Sequence, residues 1–221
     1  TILESIKEDD AHFARSRLLS LENTVGGKAI PIETIRKSAQ TAWNSNLSVH
    51  LDGARFFNAV SELDCSPKEL ADCADSVSVC LSKGLGTPVG TVLVGSEKFI
   101  YSARRNRKIL GGSMRQVGII AAAGHYALEN NISRLSEDHK RASEFASALR
   151  SLNAGIVETG TNMVFFTPND NETNELRSYM EKQGVKIGDQ SPSIRMVLHR
   201  DITDQGIELA INGFKTFYQN G

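Results

Sequence analysis

Two short runs of alternating apolar and polar residues constrain this chain more than any other feature: Leu47-Ser48-Val49-His50-Leu51-Asp52, and the stretch carrying Val77, Val79 and Leu81. Alternation over five or six residues is the mark of a β-strand. The first run stops at Asp52-Gly53 and the second leads into Lys83-Gly84, so each strand delivers an ionisable side chain followed by glycine. Between them, residues 67–74 read as a helix opened by Pro67, which the first helical turn tolerates. Strand, helix, strand is the unit of an open α/β sheet, in which ligands collect outside the carboxyl ends of the strands. The pattern predicts a mostly parallel sheet with flanking helices, and it assigns Asp52 and Lys83 to one crevice.

The flanking sequence extends this α/β reading. Residues 1–14 read as a helix and Leu18, Leu19 and Leu21 as a short strand. After Pro31, residues Ile32, Ile35, Ala39, Ala42 and Trp43 recur at helical spacing. Beyond Lys83, the run Gly84-Leu85-Gly86-Thr87-Pro88-Val89-Gly90 is a tight loop, and residues 91–94 form a strand with no helix before it, which implies an antiparallel neighbour. Helices follow over residues 97–109, 115–130 and 132–153. A strand at 163–167, a helix at 173–183, a strand at 194–198 and a closing helix from Asp204 describe a small α+β domain. The expected division is a large domain over residues 1–153 and a small C-terminal domain over 154–221.

Composition removes several functional classes. The 221 residues carry 25 basic and 26 acidic side chains, a formal charge of −1, which gives no electrostatic basis for a nucleic-acid partner. Arg104, Arg105, Arg107 and Lys108 form the one dense basic cluster, and without interleaved aromatics it reads as a solvated helix face. The longest apolar run, Gly118 to Gly124, is far short of the roughly 20 residues that cross a bilayer, so no membrane partner is expected, and no signal-like segment opens the chain. A cytoplasmic location is expected. Cys65, Cys73 and Cys80 are odd in number and lack zinc-site spacing, and the histidines 12, 50, 125, 139 and 199 show no ligand pattern, so no metal is expected.

Familiar catalytic loops are missing too. The glycines of 84–90 resemble a dinucleotide fingerprint, but Val89 stands where the third glycine belongs and a strand follows instead of a helix. What remains is the carboxylate of Asp52 and the amine of Lys83. That pair suits pyridoxal phosphate: the amine forms a Schiff base and the carboxylate keeps the ring nitrogen protonated, making the ring an electron sink. Spacing alone does not separate this chemistry from a structural salt bridge.

Three motifs in order, His50-Leu51-Asp52-Gly53-Ala54-Arg55, Cys80 through Gly90, and Gly111-Gly112-Ser113-Met114-Arg115-Gln116, resemble the threonine aldolase family of pyridoxal-phosphate enzymes. The resemblance extends to Leu21-Glu22-Asn23-Thr24 and to Ile194 through His199. It implies that Lys83 bonds the cofactor aldehyde and Asp52 pairs with the pyridine nitrogen. Arg55 would lie beside the ring and the substrate carboxylate, Arg115 would reach the cofactor phosphate across a subunit interface, and Arg195 would clamp the substrate carboxylate. The implied reaction is cleavage of L-threonine or L-allo-threonine to glycine and acetaldehyde by a homo-oligomer, a dimer or a tetramer. Two other readings stay open: a pyridoxal-phosphate enzyme that breaks a different bond, by β-elimination or racemisation, and a catalytically silent structural partner. Two departures from the family pattern stand out. Val25 occupies the position where the family commonly has histidine, and the family's chain begins before Thr1, in a portion that supplies a phosphate-binding glycine loop and a ring-stacking aromatic residue.

Overall fold

The computed structural model describes residues 1–170, 172–188 and 192–219. Its contacts divide the chain into two compact units, one of residues 1–25 and 29–133, the other of residues 26–28 and 134–221.

The first unit holds a four-stranded sheet in the order β1 (Leu18–Glu22), β2 (Ser48–Gly53), β3 (Ser76–Cys80), β4 (Thr91–Gly95). β1, β2 and β3 run parallel and β4 antiparallel, as the helix-free loop before it predicts. Alternation sets the faces. On β2, Val49, Leu51 and Gly53 are buried, while Ser48, His50 and Asp52 point to the other, more open face. Helix α2 (Ile32–Asn44) buries Ile35, Ala39 and Ala42. Ala39 and Ala42 pack with Leu47 and Val49, bordered by Leu19, Leu21 and Trp43. Trp43 Nε1 and the Val49 amide both donate to Asp75 Oδ2, at 3.0 and 2.7 Å, which ties helix to sheet.

Two helices connect β2 to β3, α3 (Phe56–Leu63) and α4 (Pro67–Ala71), where the sequence pattern predicts one. Ser66 caps α4 and forms a reciprocal capping box with Glu69. Beyond β4, α5 (Glu97–Ile109) and α6 (Gly118–Asn130) are close to expectation. The opening helix is not. It covers only α1 (Ile2–Ser5), because Asp10 and Asp9 are used locally: Asp10 Oδ1 accepts the His12 amide at 2.8 Å, and Asp9 accepts from Arg15 at 3.0 Å. Short acidic side chains that bond nearby backbone compete with helix in this way.

The second unit is an antiparallel sheet in the order β5 (Gly155–Gly160), β6 (Met163–Pro168), β7 (Ile194–Val197), with α7 (Leu135–Arg150), α8 (Thr173–Lys182) and α9 (Asp204–Gln219). Its core gathers Phe145, Val164, Phe166, Met180, Ile194 and Phe214. Phe166 meets Phe214 edge to face, with ring centroids 5.5 Å apart. β5 was not anticipated. Residues 155–160 read as a boundary between domains, yet Gly155 permits close approach: a Cβ there would lie 2.3 Å from the Thr167 carbonyl oxygen. Residues 26–28 join this unit through Gly27, whose carbonyl accepts from Thr161 Oγ1 at 2.8 Å, and Lys28, which pairs with Glu158 at 2.8 Å.

Candidate active site at the carboxyl edge of the parallel strands

The register of the parallel strands puts Glu22, Asp52 and Ser78 in one row at the carboxyl edge of the first sheet. Asp52 is exposed, and its Oδ1 accepts the Ala54 amide at 3.0 Å, a local turn that holds the carboxylate at the strand end. Gly53 follows because nothing larger fits: a Cβ would stand 2.5 Å from the Ser78 carbonyl oxygen. Arg55 is half-buried and opens α3.

Lys83 is exposed, three residues past the end of β3. Its loop is closed by backbone bonds from Leu81 to the Gly90 carbonyl (2.9 Å), from Thr87 to the Leu81 carbonyl (3.1 Å) and from Gly86 to the Lys83 carbonyl (2.9 Å). Leu85 and Thr87 are buried, and the Asn131 side chain donates to the Leu85 carbonyl at 2.7 Å. Gly86 sits at φ +76° and Gly90 at φ +136°, which only glycine adopts readily. The glycines that mimic a dinucleotide motif therefore serve to fold a short loop that presents one lysine.

Cys80, half-buried at the end of β3, reports on Lys83. Burial pushes its thiol up, but hydrogen bonding with Ser82, whose Oγ is 3.5 Å away, and the charge of Lys83 together outweigh burial and hold it below the ordinary thiol value. In the sequence Cys80 stands out only as part of a motif. Nor does the sequence show the role of Asn23, which brackets Ile30 with two bonds, accepting from its amide at 3.0 Å and donating to its carbonyl at 3.1 Å. The Asn23 amide itself donates to the Asp52 carbonyl at 3.1 Å, so the loop after β1 is fastened to the strand that carries Asp52. Next to it, the Thr24 hydroxyl is buried with no hydrogen-bond partner among the described residues, and Val25 is exposed.

Asp52, Arg55 and Lys83 thus share the carboxyl edge of the first sheet. Arg115 lies in the same unit, exposed, in the segment between α5 and α6. Arg195 belongs to the second unit, half-buried on β7, in register with Phe165. It alternates with Ile194 and Met196, which face that unit's core, so it projects from the opposite face of the small sheet. Among the described residues there is no cluster of metal-ligating side chains, and no helix is long and apolar enough to cross a membrane.

Comparison with known proteins agrees with this architecture. The chain is 48% identical to the low specificity L-threonine aldolase of Escherichia coli K12 over 198 residues, covering 90% of this chain and 59% of that protein. It is 38% identical to low-specificity L-threonine aldolase 1 of Arabidopsis thaliana, covering 92% of this chain and 60% of that one. A threonine aldolase structure from Leishmania major superposes with a TM-score of 0.81 at 14% identity, over 98% of this chain and 66% of that chain, which shows the fold. The chain therefore spans about 60% of the length of the curated relatives it matches. Residues 1–171 match the family model described as beta-eliminating lyase, and the chain belongs to that family.

Proposed function

We propose that the chain carries the catalytic edge of a pyridoxal-phosphate-dependent carbon–carbon lyase that cleaves L-threonine or L-allo-threonine to glycine and acetaldehyde. The observation that carries this reading is the delivery of Asp52 and Lys83 to one edge of adjacent parallel strands, both exposed, one a carboxylate and the other an amine. That donor set fits the cofactor: an acid for the ring nitrogen, an amine for the aldehyde. The Thr24 hydroxyl, buried and unbonded one residue past the clamp that holds β2, adds an unsatisfied polar group to the same edge. When bound, the cofactor supplies an electron sink for the pair left on the substrate's α-carbon.

The chain's own residues do the rest. Asp52 holds a proton on the ring nitrogen. Lys83, exposed on its short loop, would hold the cofactor by its aldehyde. Arg195 would take the substrate carboxylate, a task suited to the planar fork of a guanidinium. Arg55 would serve the ring and the same carboxylate, and Arg115 would hold the phosphate across a subunit interface. Val25 neither gives nor takes a proton, so removal of the β-hydroxyl proton falls to water or another side chain.

The test is the absorption spectrum of the purified chain with added pyridoxal phosphate. A long-wavelength band that borohydride removes, leaving a label on Lys83, is expected, and Lys83→Ala should show neither band nor turnover. Turnover by Lys83→Ala at the wild-type rate would end the proposal. The family's β-elimination chemistry is the second reading. Products from threonine decide between them, glycine with acetaldehyde against 2-oxobutyrate. The role given to Arg115 requires at least a dimer. Exposed apolar side chains on β4 (Val92, Leu93, Val94) and beyond it (Ile109, Leu110, Ile119) support association. Sedimentation velocity should find a homo-oligomer, and a monomer would remove Arg115 from the site.

A further inference from the structure

His50 stands one row behind Asp52 on the same face of β2, in register with Ser20 of β1 and Ser76 of β3. It is half-buried, and its Nδ1 lies 2.9 Å from Ser76 Oγ, which fixes the ring and engages one of its two nitrogens. Asp52 is engaged in the same one-sided way, with Oδ1 on the Ala54 amide. Each side chain therefore keeps one polar atom, Nε2 of His50 and Oδ2 of Asp52. Same-face neighbours on a parallel strand stand side by side about 6.6 Å apart, a separation that one bridging water can span.

We propose that His50 is a positioning residue for Asp52. Ser76 orients the imidazole through Nδ1, and Nε2 supports the carboxylate across one water, keeping Oδ2 aimed at the ring nitrogen of the cofactor. This rests on the assignment of Asp52 to pyridoxal phosphate. The competing explanation is that His50 merely fastens β2 to β3 through Ser76.

Two substitutions in the full chain separate these roles. Asn at position 50 can keep the bond to Ser76 but has nothing at the Nε2 position, whereas Gln reaches that position. The dissociation constant of pyridoxal phosphate, measured by equilibrium dialysis, should rise about tenfold in His50→Asn, the scale of one hydrogen bond to a charged group. It should return to within about threefold of wild type in His50→Gln, and His50→Asn should have no further effect in an Asp52→Asn background. A cofactor-free readout accompanies it: the Cδ2–H resonance of His50, adjacent to Nε2, should move in Asp52→Asn. Wild-type affinity in His50→Asn, an equal loss in the Asp52→Asn background, or an unmoved resonance overturns the proposal. Failure of the wild-type chain to bind pyridoxal phosphate overturns the cofactor reading instead, while the resonance still decides whether His50 and Asp52 are linked.

Discussion

At the scale of single residues, the three thiols give an independent check on where the Lys83 amine lies. Cys65 and Cys73 are pushed up by burial, whereas for Cys80 the Ser82 hydrogen bonds and the Lys83 charge win over burial and the thiol is lowered. The thiolate is the reactive form, so a lowered value means a larger reactive fraction at any given pH. Iodoacetamide followed by peptide mass mapping should therefore label Cys80 first as pH rises toward the ordinary thiol value. Lys83→Met removes the ammonium, which should move the onset of Cys80 labelling to higher pH and slow it. Equal rates at all three cysteines would show that Cys80 is not lowered, and a Cys80 rate indifferent to Lys83→Met would show that the Lys83 charge does not reach it.

At the scale of elements, the critical seam is the one between β2, β3 and α3. Gly53 ends β2 with its α-carbon pressed against the Ser78 carbonyl, and an added Cβ would also lie 2.9 Å from Phe56 Cβ. Gly53→Ala must push apart the two strands that carry Asp52 and lead to Lys83, or displace α3. Overpacking of this kind costs about 1–3 kcal/mol. The urea midpoint should fall with an unchanged slope, and pyridoxal phosphate should bind more weakly; a variant with wild-type midpoint and affinity would show that the seam has slack. The sequence reveals Gly53 as a breaker after a carboxylate, but not this contact, which depends on a strand 25 residues further on. The same limit explains the other omissions. β1 to β4 and α2 follow from alternation and helical spacing, and the Asp52 and Lys83 positions follow from strand ends. Helix α3 escaped because Phe56 and Phe57 directly follow a strand and Asp64 ends the helix at φ +48° without a glycine to mark it. β5 escaped because its flanking glycines permit packing where they resemble linkers. Asn23 and Thr24 take their importance from bonds or burial set by distant backbone, which no local pattern encodes.

At the scale of the whole molecule, the described residues of each unit build a core of different character. The first is built of aliphatic side chains on a parallel sheet, Ala39, Ala42, Leu47, Val49 and Leu51 among them. The second is aromatic: Phe145, Phe166 and Phe214 are buried and meet edge to face, and Tyr218 joins Phe166 at 6.0 Å. Its depth shows in the Tyr218 phenol, which burial pushes up to about 12. Units with separate cores open with separate free energies. Phe166→Ala, at a fully buried site, should cost about 3–5 kcal/mol, and Leu51→Ala about 2–5 kcal/mol. Hydrogen exchange read by mass spectrometry should place the first loss in α7, β6, β7 and α9, leaving β1 to β3 protected, and the second in β1 to β3, leaving the aromatic core protected. Uniform loss across both units in either variant would mean that the two cores unfold as one. A confined loss would mean that the strand bearing Arg195 can be loosened while the edge bearing Asp52 and Lys83 stays folded, so that the residue assigned to the substrate and those assigned to the cofactor can be perturbed one at a time.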